Sequence, residues 1–409
     1  MDASEKLRSH IPALLSLWRG NSKKSPLNQS ELKSVSESLL SLQRGLTGER
    51  SLVGASYMEN KSQLGAYLLY YWPVTYMQIS SALNLSPDFN LFREKKSISI
   101  LDVGSGPGPA SFAICDFLCK SGVKSAPSLS VTLLDSSEKA LSLAKKIFSS
   151  ELPSIKVSSL QVDLQKDFLP PEDSFDIIVM SHALNELWKN DANRISRRTD
   201  FLLRISKSLS NEFDGECGGG GVLILSEPAL LETSRNLICV RDNLIEKGFS
   251  ILAPCLKNKK CPALSAGESH TCHAEIKWSP CEPVASIARN AKLDRDSVKA
   301  SFFIMRKNAE SKSVLENDDA GGGKNGLRFR IVSDGMLNKS GRVRFLICDG
   351  ERRIPLSAKK DESHAKDIGF FSLHRYDLIS LENPEERGDK DSPAYGIQSG
   401  TNLRVSSNQ

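Results

Sequence analysis

The run Leu101-Asp102-Val103-Gly104-Ser105-Gly106-Pro107-Gly108 decides the fold of this 409-residue chain. An apolar strand, Ser97–Val103, leads into it. An apolar helix carrying Ala110, Phe112, Ala113 and Leu118 leaves it. Glycines suit such a junction because the chain turns sharply and its backbone must come close to a ligand. A glycine pattern alone is weak evidence; its place between strand and helix gives it weight.

Working outward from the loop, short apolar runs alternate with helical stretches. Strands are expected at 97–103, 129–134, 155–162, 175–180 and 221–225, with helices near 109–120, 136–149 and 191–209. This alternation predicts a parallel, doubly wound α/β sheet. A further helix over 234–248 ends at Gly248, and strands at 249–253 and 301–306 follow. The G-x-G-x-G spacing, with no G-x-x-G continuation, favours S-adenosylmethionine over a dinucleotide. The expected fold of 96–307 is therefore a class I methyltransferase, Rossmann-like sheet whose last two strands form an antiparallel hairpin. Asp135 closes the second strand, where an acid accepts both hydroxyl protons of a ribose. It also reads as a helix N-cap before Ser136 and Ser137, and the two roles are compatible. Asp163 closes the third strand, within reach of an adenine amino group. The expected cofactor-binding residues are Asp102, Gly104, Gly106, Gly108, Asp135 and Asp163.

The chemistry of methyl transfer is less visible. Enzymes that methylate exocyclic amines place Asn or Asp, two prolines and an aromatic after the fourth strand. Here that position reads Ser181-His182-Ala183-Leu184-Asn185-Glu186-Leu187, and it offers no cysteine for attack on a pyrimidine. His182 is a candidate base, and Asn185 and Glu186 are candidates for touching the cofactor's methionine part or a substrate. The plainer account, which we prefer, has Leu184 and Leu187 packing and His182 satisfied within its loop. The catalytic residues are thus unassigned, and binding is better supported than catalysis.

Before the sheet, residues 1–95 read as helical. Leu32, Val35, Leu39, Leu42 and Leu46 recur at helical spacing, and 63–85 around Pro73 carries Tyr67, Tyr70, Tyr71, Trp72 and Tyr76. So many aromatics imply a cap packed on the next domain rather than a lid or an RNA-facing surface. The glycine run 218–221 reads as a loop feeding the fifth strand. After the sheet, 308–326 is polar and glycine-rich and reads as a linker. Residues 327–384 alternate like a small basic β-domain, and 385–409 is expected to be disordered. Between 324 and 360, Lys324, Arg328, Arg330, Lys339, Arg342, Arg344, Arg352, Arg353, Lys359 and Lys360 face only Asp334, Asp349 and Glu351. Such a surface suits phosphates, though a merely solvated basic face accounts for it equally well.

The chain has nine cysteines and no secretory signal, so reduced thiols or metal ligands are expected in place of disulfides. Cys255, Cys261 and Cys272 share one insertion between the last two strands of the sheet, spanning 254–300. Lysine, serine and glycine surround them, so core packing does not explain the thiols, and metal ligation does. A fourth ligand comes from Cys348, Cys281, His270 or His273. Four thiolates suit an iron–sulfur cluster, and three with His273 suit zinc. Cys115, Cys119, Cys217 and Cys239 read as ordinary packing or loop residues. A formal charge of +5 permits a nucleic-acid partner without demanding one. No apolar run reaches about 18 residues, so no membrane partner is expected. The opening Met1-Asp2-Ala3-Ser4-Glu5 lacks the features of a presequence. A bacterial cytoplasm is therefore expected ahead of a mitochondrion.

Several motifs in order carry a family resemblance. They are Tyr67-Leu68-x4-Pro73-x-Thr75-Tyr76, the glycine loop, Glu227-Pro228, Arg241-Asp242-x-Leu244, Ala253-Pro254-Cys255, Cys261-Pro262, Cys272-His273 and Ser301-Phe302-Phe303. With them the chain resembles the methyltransferase-like assembly factors of the mitochondrial small ribosomal subunit and their bacterial homologues, from about residue 50 to 356. The resemblance implies a Rossmann-like methyltransferase domain and association with small-subunit ribosomal RNA. It also implies a [4Fe-4S] cluster, with Cys255, Cys261, Cys272 and Cys348 as the corresponding ligands. The chain departs from the pattern at Tyr71, where the family commonly has Arg, and at Thr271, where an aromatic commonly precedes the Cys-His pair. The expected function is action in small-subunit assembly or translation. Alternatives are an active rRNA methyltransferase, or a zinc-stabilised methyltransferase with a non-ribosomal substrate.

Overall fold

The computed structural model describes residues 2–22, 25–43, 60–86, 89, 92, 95–119, 128–166, 170–211, 220–293, 296–307, 327–389 and 392–406. Leu46, Cys217, Gly218, Gly219 and the linker 308–326 lie outside the described residues.

The first sheet contains β1 (Ser97–Val103), β2 (Ser128–Asp135), β3 (Lys156–Gln161), β4 (Ile177–Ser181), β5 (Val222–Pro228), β6 (Phe249–Ala253), β7 (Ala274–Lys277) and β8 (Ser297–Lys307). Its order is β3-β2-β1-β4-β5-β8-β6, with β7 paired to the start of β8. Strands β1 to β5 are parallel, while β8 runs antiparallel to both β5 and β6. That order with one reversed strand is a class I S-adenosylmethionine methyltransferase-like α/β fold with a mixed sheet. The central strands are near-continuous apolar runs because helices cover both faces. On one face α5 (Pro109–Leu118) and α6 (Glu138–Glu151) pack over Ile98, Ile100 and Val131. On the other, α7 (Arg194–Ile205) and α8 (Leu231–Glu246) cover Leu101, Ile178 and Leu223.

Ahead of the sheet lie α1 (Ala3–Arg19), α2 (Gln29–Gln43), α3 (Lys61–Ala66) and α4 (Trp72–Asn84). A π-helical turn, Tyr67–Tyr71, joins α3 to α4. Pro73 is accommodated without ending the helix because it directly follows the π turn, where the regular hydrogen-bond spacing is already opened and the Trp72 N–H reaches the Tyr67 carbonyl. Every residue from Trp72 to Leu83 is buried, so α4 is a packed cap. Helix α1 is pinned by charge. Lys6 reaches Asp116 of α5 at 2.9 Å, and His10 lies between Glu151 of α6 (2.8 Å) and Asp116 (3.5 Å).

A second sheet holds β9 (Leu327–Ile331), β10 (Met336–Leu337), β11 (Arg342–Cys348), β12 (Arg353–Lys359), β13 (Leu378–Glu382), β14 (Glu385–Gly388), β15 (Pro393–Gly396) and β16 (Asn402–Ser406). Its order is β14-β15-β12-β11-β9-β13-β16, with β10 paired to β11. Phe329, Ile331, Phe345, Ile347, Ile354 and Leu356 fill its core. The expectation of disorder from residue 385 is corrected here. Strand β16 pairs with β13 from Asn402 to Ser406, and Ile397, Thr401 and Leu403 are buried. Strands β14 and β16 end the sheet at either edge, so few of their side chains turn inward and the segment looks polar.

The cysteine-bearing insertion follows β6. It carries two short helices, α9 (Pro262–Ser265) and α10 (Val284–Asn290), and strand β7 between them.

Candidate functional site

The strand order reverses between β1 and β4, and the crevice beyond their carboxyl ends is where ligands bind in open α/β sheets. The glycine loop and the segment after β4 flank it. Gly104, Gly106 and Gly108 have φ of 69°, 52° and 74°, a region costly for any residue with a Cβ. Both Gly104 N–H (2.8 Å) and Ser105 N–H (2.9 Å) donate to the Leu134 carbonyl, tying the loop to the end of β2. The missing side chains are filled by neighbours. A Cβ on Gly104 would stand 2.5 Å from the Ala183 methyl, and one on Gly106 would stand 3.2 Å from the Tyr67 hydroxyl. Trp72 Nε1 donates to the Pro107 carbonyl at 3.1 Å, so the helical cap grips the loop from above.

The predicted carboxylates take different places. Asp135 accepts from Gly106 N at 2.8 Å and from Ser137 N at 2.8 Å, which joins the loop to the start of α6. Burial lifts its carboxyl above the usual range, against the lowering effect of those amides. Asp102 is buried and accepts from Ser111 N (3.1 Å) and Ser111 Oγ (2.6 Å), so it holds α5 against β1. Burial pushes it up to about 6. Asp163 follows Val162, whose N–H donates to the Asp135 carbonyl at 2.9 Å. It is half-exposed, accepting from Gln165 N at 3.0 Å and pairing with Lys166 at 3.4 Å.

After β4, Leu184 and Leu187 are buried in the core, and His182 takes φ 58° with Nε2 2.8 Å from Gln78 Oε1. Burial brings His182 down to about 4, so its imidazole is neutral near pH 7. Sequence reasoning missed the buried group behind it. Glu227 accepts from the Asn185 backbone N at 3.1 Å and from its side-chain amide. Arg198 donates to the Asn185 carbonyl at 2.7 Å. Burial lifts Glu227 to about 8, although Asn185 and Arg198 oppose the shift. The Glu227-Pro228 motif was its only signal. Tyr67 was also missed as a site residue; its placement depends on the π turn, which no periodicity announces.

The cysteines divide into two sets. Burial raises Cys261, and so do the thiols of Cys272 and Cys255. Burial pushes Cys348 up to about 12, with Cys255 and Cys272 adding to the effect. The end of β11 thus reaches the insertion, where Arg330 Nε donates to Pro254 O (3.1 Å) and Arg353 to Thr271 O (3.0 Å). The Arg241-Asp242 motif supports the same loop: Asp242 accepts from Cys261 N at 3.1 Å, and Arg241 reaches Asp242, Lys259 O and the Cys255 thiol. Tyr376 Oη lies 3.3 Å from Cys272 Sγ. Cys281 stands apart, buried with Val284 and Ile287 in the other core and feeling Arg8 and Glu282. His273, next to Cys272 in the chain, is held near 4 by burial and then by Arg375. All eight cysteines among the described residues are free. Among the described residues, no group of three or more His, Cys, Asp or Glu is placed to hold a metal ion. Among the described residues, no helix is long and apolar enough to cross a membrane.

The family model described as Rsm22, mitochondrial small ribosomal subunit Rsm22, matches residues 61–357. No curated protein matches the chain. Among solved structures, a putative class I S-adenosylmethionine-dependent methyltransferase from Listeria monocytogenes is similar at 14% identity and TM-score 0.37, covering 76% of this chain and 90% of that one. The plantazolicin methyltransferase BpumL in complex with SAH is similar at 14% identity and TM-score 0.34, covering 68% and 98%. Magnesium protoporphyrin IX methyltransferase from Synechocystis PCC 6803, with bound SAM, follows at 11% identity and TM-score 0.34, covering 66% and 97%. At these scores the fold assignment rests on the strand order given above.

Proposed function

This chain belongs to the mitochondrial small ribosomal subunit Rsm22 family, and from that premise we propose that it binds S-adenosylmethionine on its glycine loop and serves the small ribosomal subunit in assembly or translation. The observation that carries the cofactor reading is the triple positive-φ loop locked to Asp135 at the reversal of strand order. Such a loop brings backbone amides to a ligand while the acid beyond β2 meets a ribose. Asp163, one residue beyond the Val162 that bonds the Asp135 carbonyl, is the candidate for the adenine end. Binding is proposed without a methyl-transfer step: His182 is turned to Gln78, and Glu227 is enclosed by Asn185. Isothermal titration of the full chain with S-adenosylhomocysteine tests this reading. Saturable binding that Gly106→Arg abolishes is expected, and no heat from the wild type overturns it.

The family supports a small-subunit partner and, for the compartment, favours the mitochondrion over the bacterial cytoplasm. The exposed cations Lys339, Arg344, Lys359 and Lys360 of the second sheet support contact with ribosomal RNA. Tagged chain should co-sediment with small-subunit particles from a mitochondrial lysate. Its absence from those fractions counts against the ribosomal role.

Cys255, Cys261, Cys272 and Cys348 are the proposed ligands of a [4Fe-4S] cluster, as the family resemblance implies, with zinc the alternative. Zinc draws four donors around one point at bonds of about 2.3 Å. A four-iron cluster binds each thiolate to a separate iron, and an all-thiol donor set drawn from the insertion and the end of β11 suits it. Arg241 and Arg330, both buried, would offset the thiolate charge. Such a cluster would supply a covalent tie between the insertion and the second sheet and a one-electron couple. Anaerobically purified chain should be brown and carry iron. Cys348→Ser should lose the iron and Cys281→Ser should keep it. A colourless protein with stoichiometric zinc overturns the assignment.

A further inference from the structure

We infer that Tyr67 and Glu186 form the subsite for the amino-acid end of the cofactor, an inference that rests on the S-adenosylmethionine reading above. The ribose end is set by Asp135, at the tip of β2. What remains of the ligand, a chain ending in an ammonium and a carboxylate, needs one anion and one hydrogen-bond donor. The crevice supplies both from opposite walls.

Tyr67 comes from the cap. The π turn inserts an extra residue into a helix whose next residue, Trp72, is bonded to Pro107 of the loop. Its hydroxyl stands 3.2 Å from the point where a Cβ on Gly106 would lie, over the middle of the loop. The carboxylates that act on it are Asp135, Glu186 and Asp102, all bordering the crevice. Buried among them, the phenol stays protonated and is a donor at any physiological pH. Glu186 comes from the segment after β4. Its N–H donates to the Ala183 carbonyl at 3.0 Å, and the Ala183 methyl occupies the space beside Gly104. The Tyr67 hydroxyl thus stands over Gly106 and Glu186 follows the residue that abuts Gly104, close enough for its charge to act on Tyr67: a donor for the carboxylate and an anion for the ammonium. π-Helical turns of this kind recur at functional sites because they re-aim one side chain without ending the helix.

The test titrates the full chain with two ligands. S-adenosylhomocysteine has the amino-acid end; 5′-deoxy-5′-methylthioadenosine lacks it. Tyr67→Phe and Glu186→Gln should each weaken S-adenosylhomocysteine about 10- to 100-fold, the loss expected for a hydrogen bond to a charged group. Both should leave methylthioadenosine affinity unchanged. Wild-type affinity for S-adenosylhomocysteine in both variants overturns the inference. So does a parallel loss of both ligands, which would mark a general disturbance of the crevice. A wild-type chain that binds neither ligand overturns the cofactor reading itself.

Discussion

Replacing Gly104 by Ala isolates the contact on which the loop depends. At φ 69°, the alanine pays the left-handed penalty, about 1–2 kcal/mol. Its methyl would also lie 2.5 Å from the Ala183 Cβ, well inside the 3.5–4.0 Å of an ordinary carbon contact. Neither Cβ can swing away, so the backbone of the loop or of the segment after β4 must shift, adding about 1–3 kcal/mol. The total expected loss is about 2–5 kcal/mol. Gly248 serves as the control: its φ is 91°, and nothing lies within 4 Å of its would-be Cβ. Gly248→Ala should therefore cost only the conformational term, about 1–2 kcal/mol. Ala183→Gly combined with Gly104→Ala should recover about 1–3 kcal/mol as a coupling energy in a double-mutant cycle. Urea unfolding followed by tryptophan fluorescence suits the measurement, since Trp18, Trp72, Trp188 and Trp278 all precede the second sheet. The packing argument fails if Gly104→Ala is no worse than Gly248→Ala, or if Ala183→Gly rescues nothing.

Three further outcomes follow from the buried polar groups. Because burial lifts Glu227 from 4.5 to about 8, its contribution to stability is full below about 4.5 and lost as pH rises through 8; Glu227→Gln should flatten that decline in urea midpoints. Asp116 is held at about 2 by His10, Tyr76 and Lys6 although burial opposes ionisation, so its contribution is present above 3.8 and lost as pH falls towards 2. Asp116→Asn strands Lys6 and His10 and should cost about 3–5 kcal/mol at neutral pH, read from the same unfolding curves. Trp72→Phe leaves the Pro107 carbonyl without its donor, costing about 1–3 kcal/mol, and should weaken S-adenosylhomocysteine binding by calorimetry while leaving iron content unchanged.

Much of the first sheet was legible because its strands are apolar runs cut by helices of clear period. Strand β1 spans the residues expected of it, and β6 and β8 pair antiparallel across the long insertion as read. The family resemblance drawn from scattered motifs agrees with the family match. Short or peripheral elements were not legible. Strand β7 has four residues, and of the last three strands of the second sheet β14 buries no residue fully while β15 and β16 each bury one. Their pairing depends on neighbours distant in sequence, which local pattern does not encode.

The glycine loop marks the boundary between the two kinds of information. Sequence alone determined that residues 104–108 turn from strand to helix, since strand and helix periods meet there and only glycine tolerates three positive φ angles in five residues. Tertiary structure alone decided what fills the space beside those glycines, Ala183 at one and Tyr67 at another. It likewise brought Cys348 near Cys255 and Cys272, while Cys281 packs into the other core. Such neighbours are chosen by the packing of elements far apart in the chain, and a side chain's residue type does not say which of several surfaces it will meet.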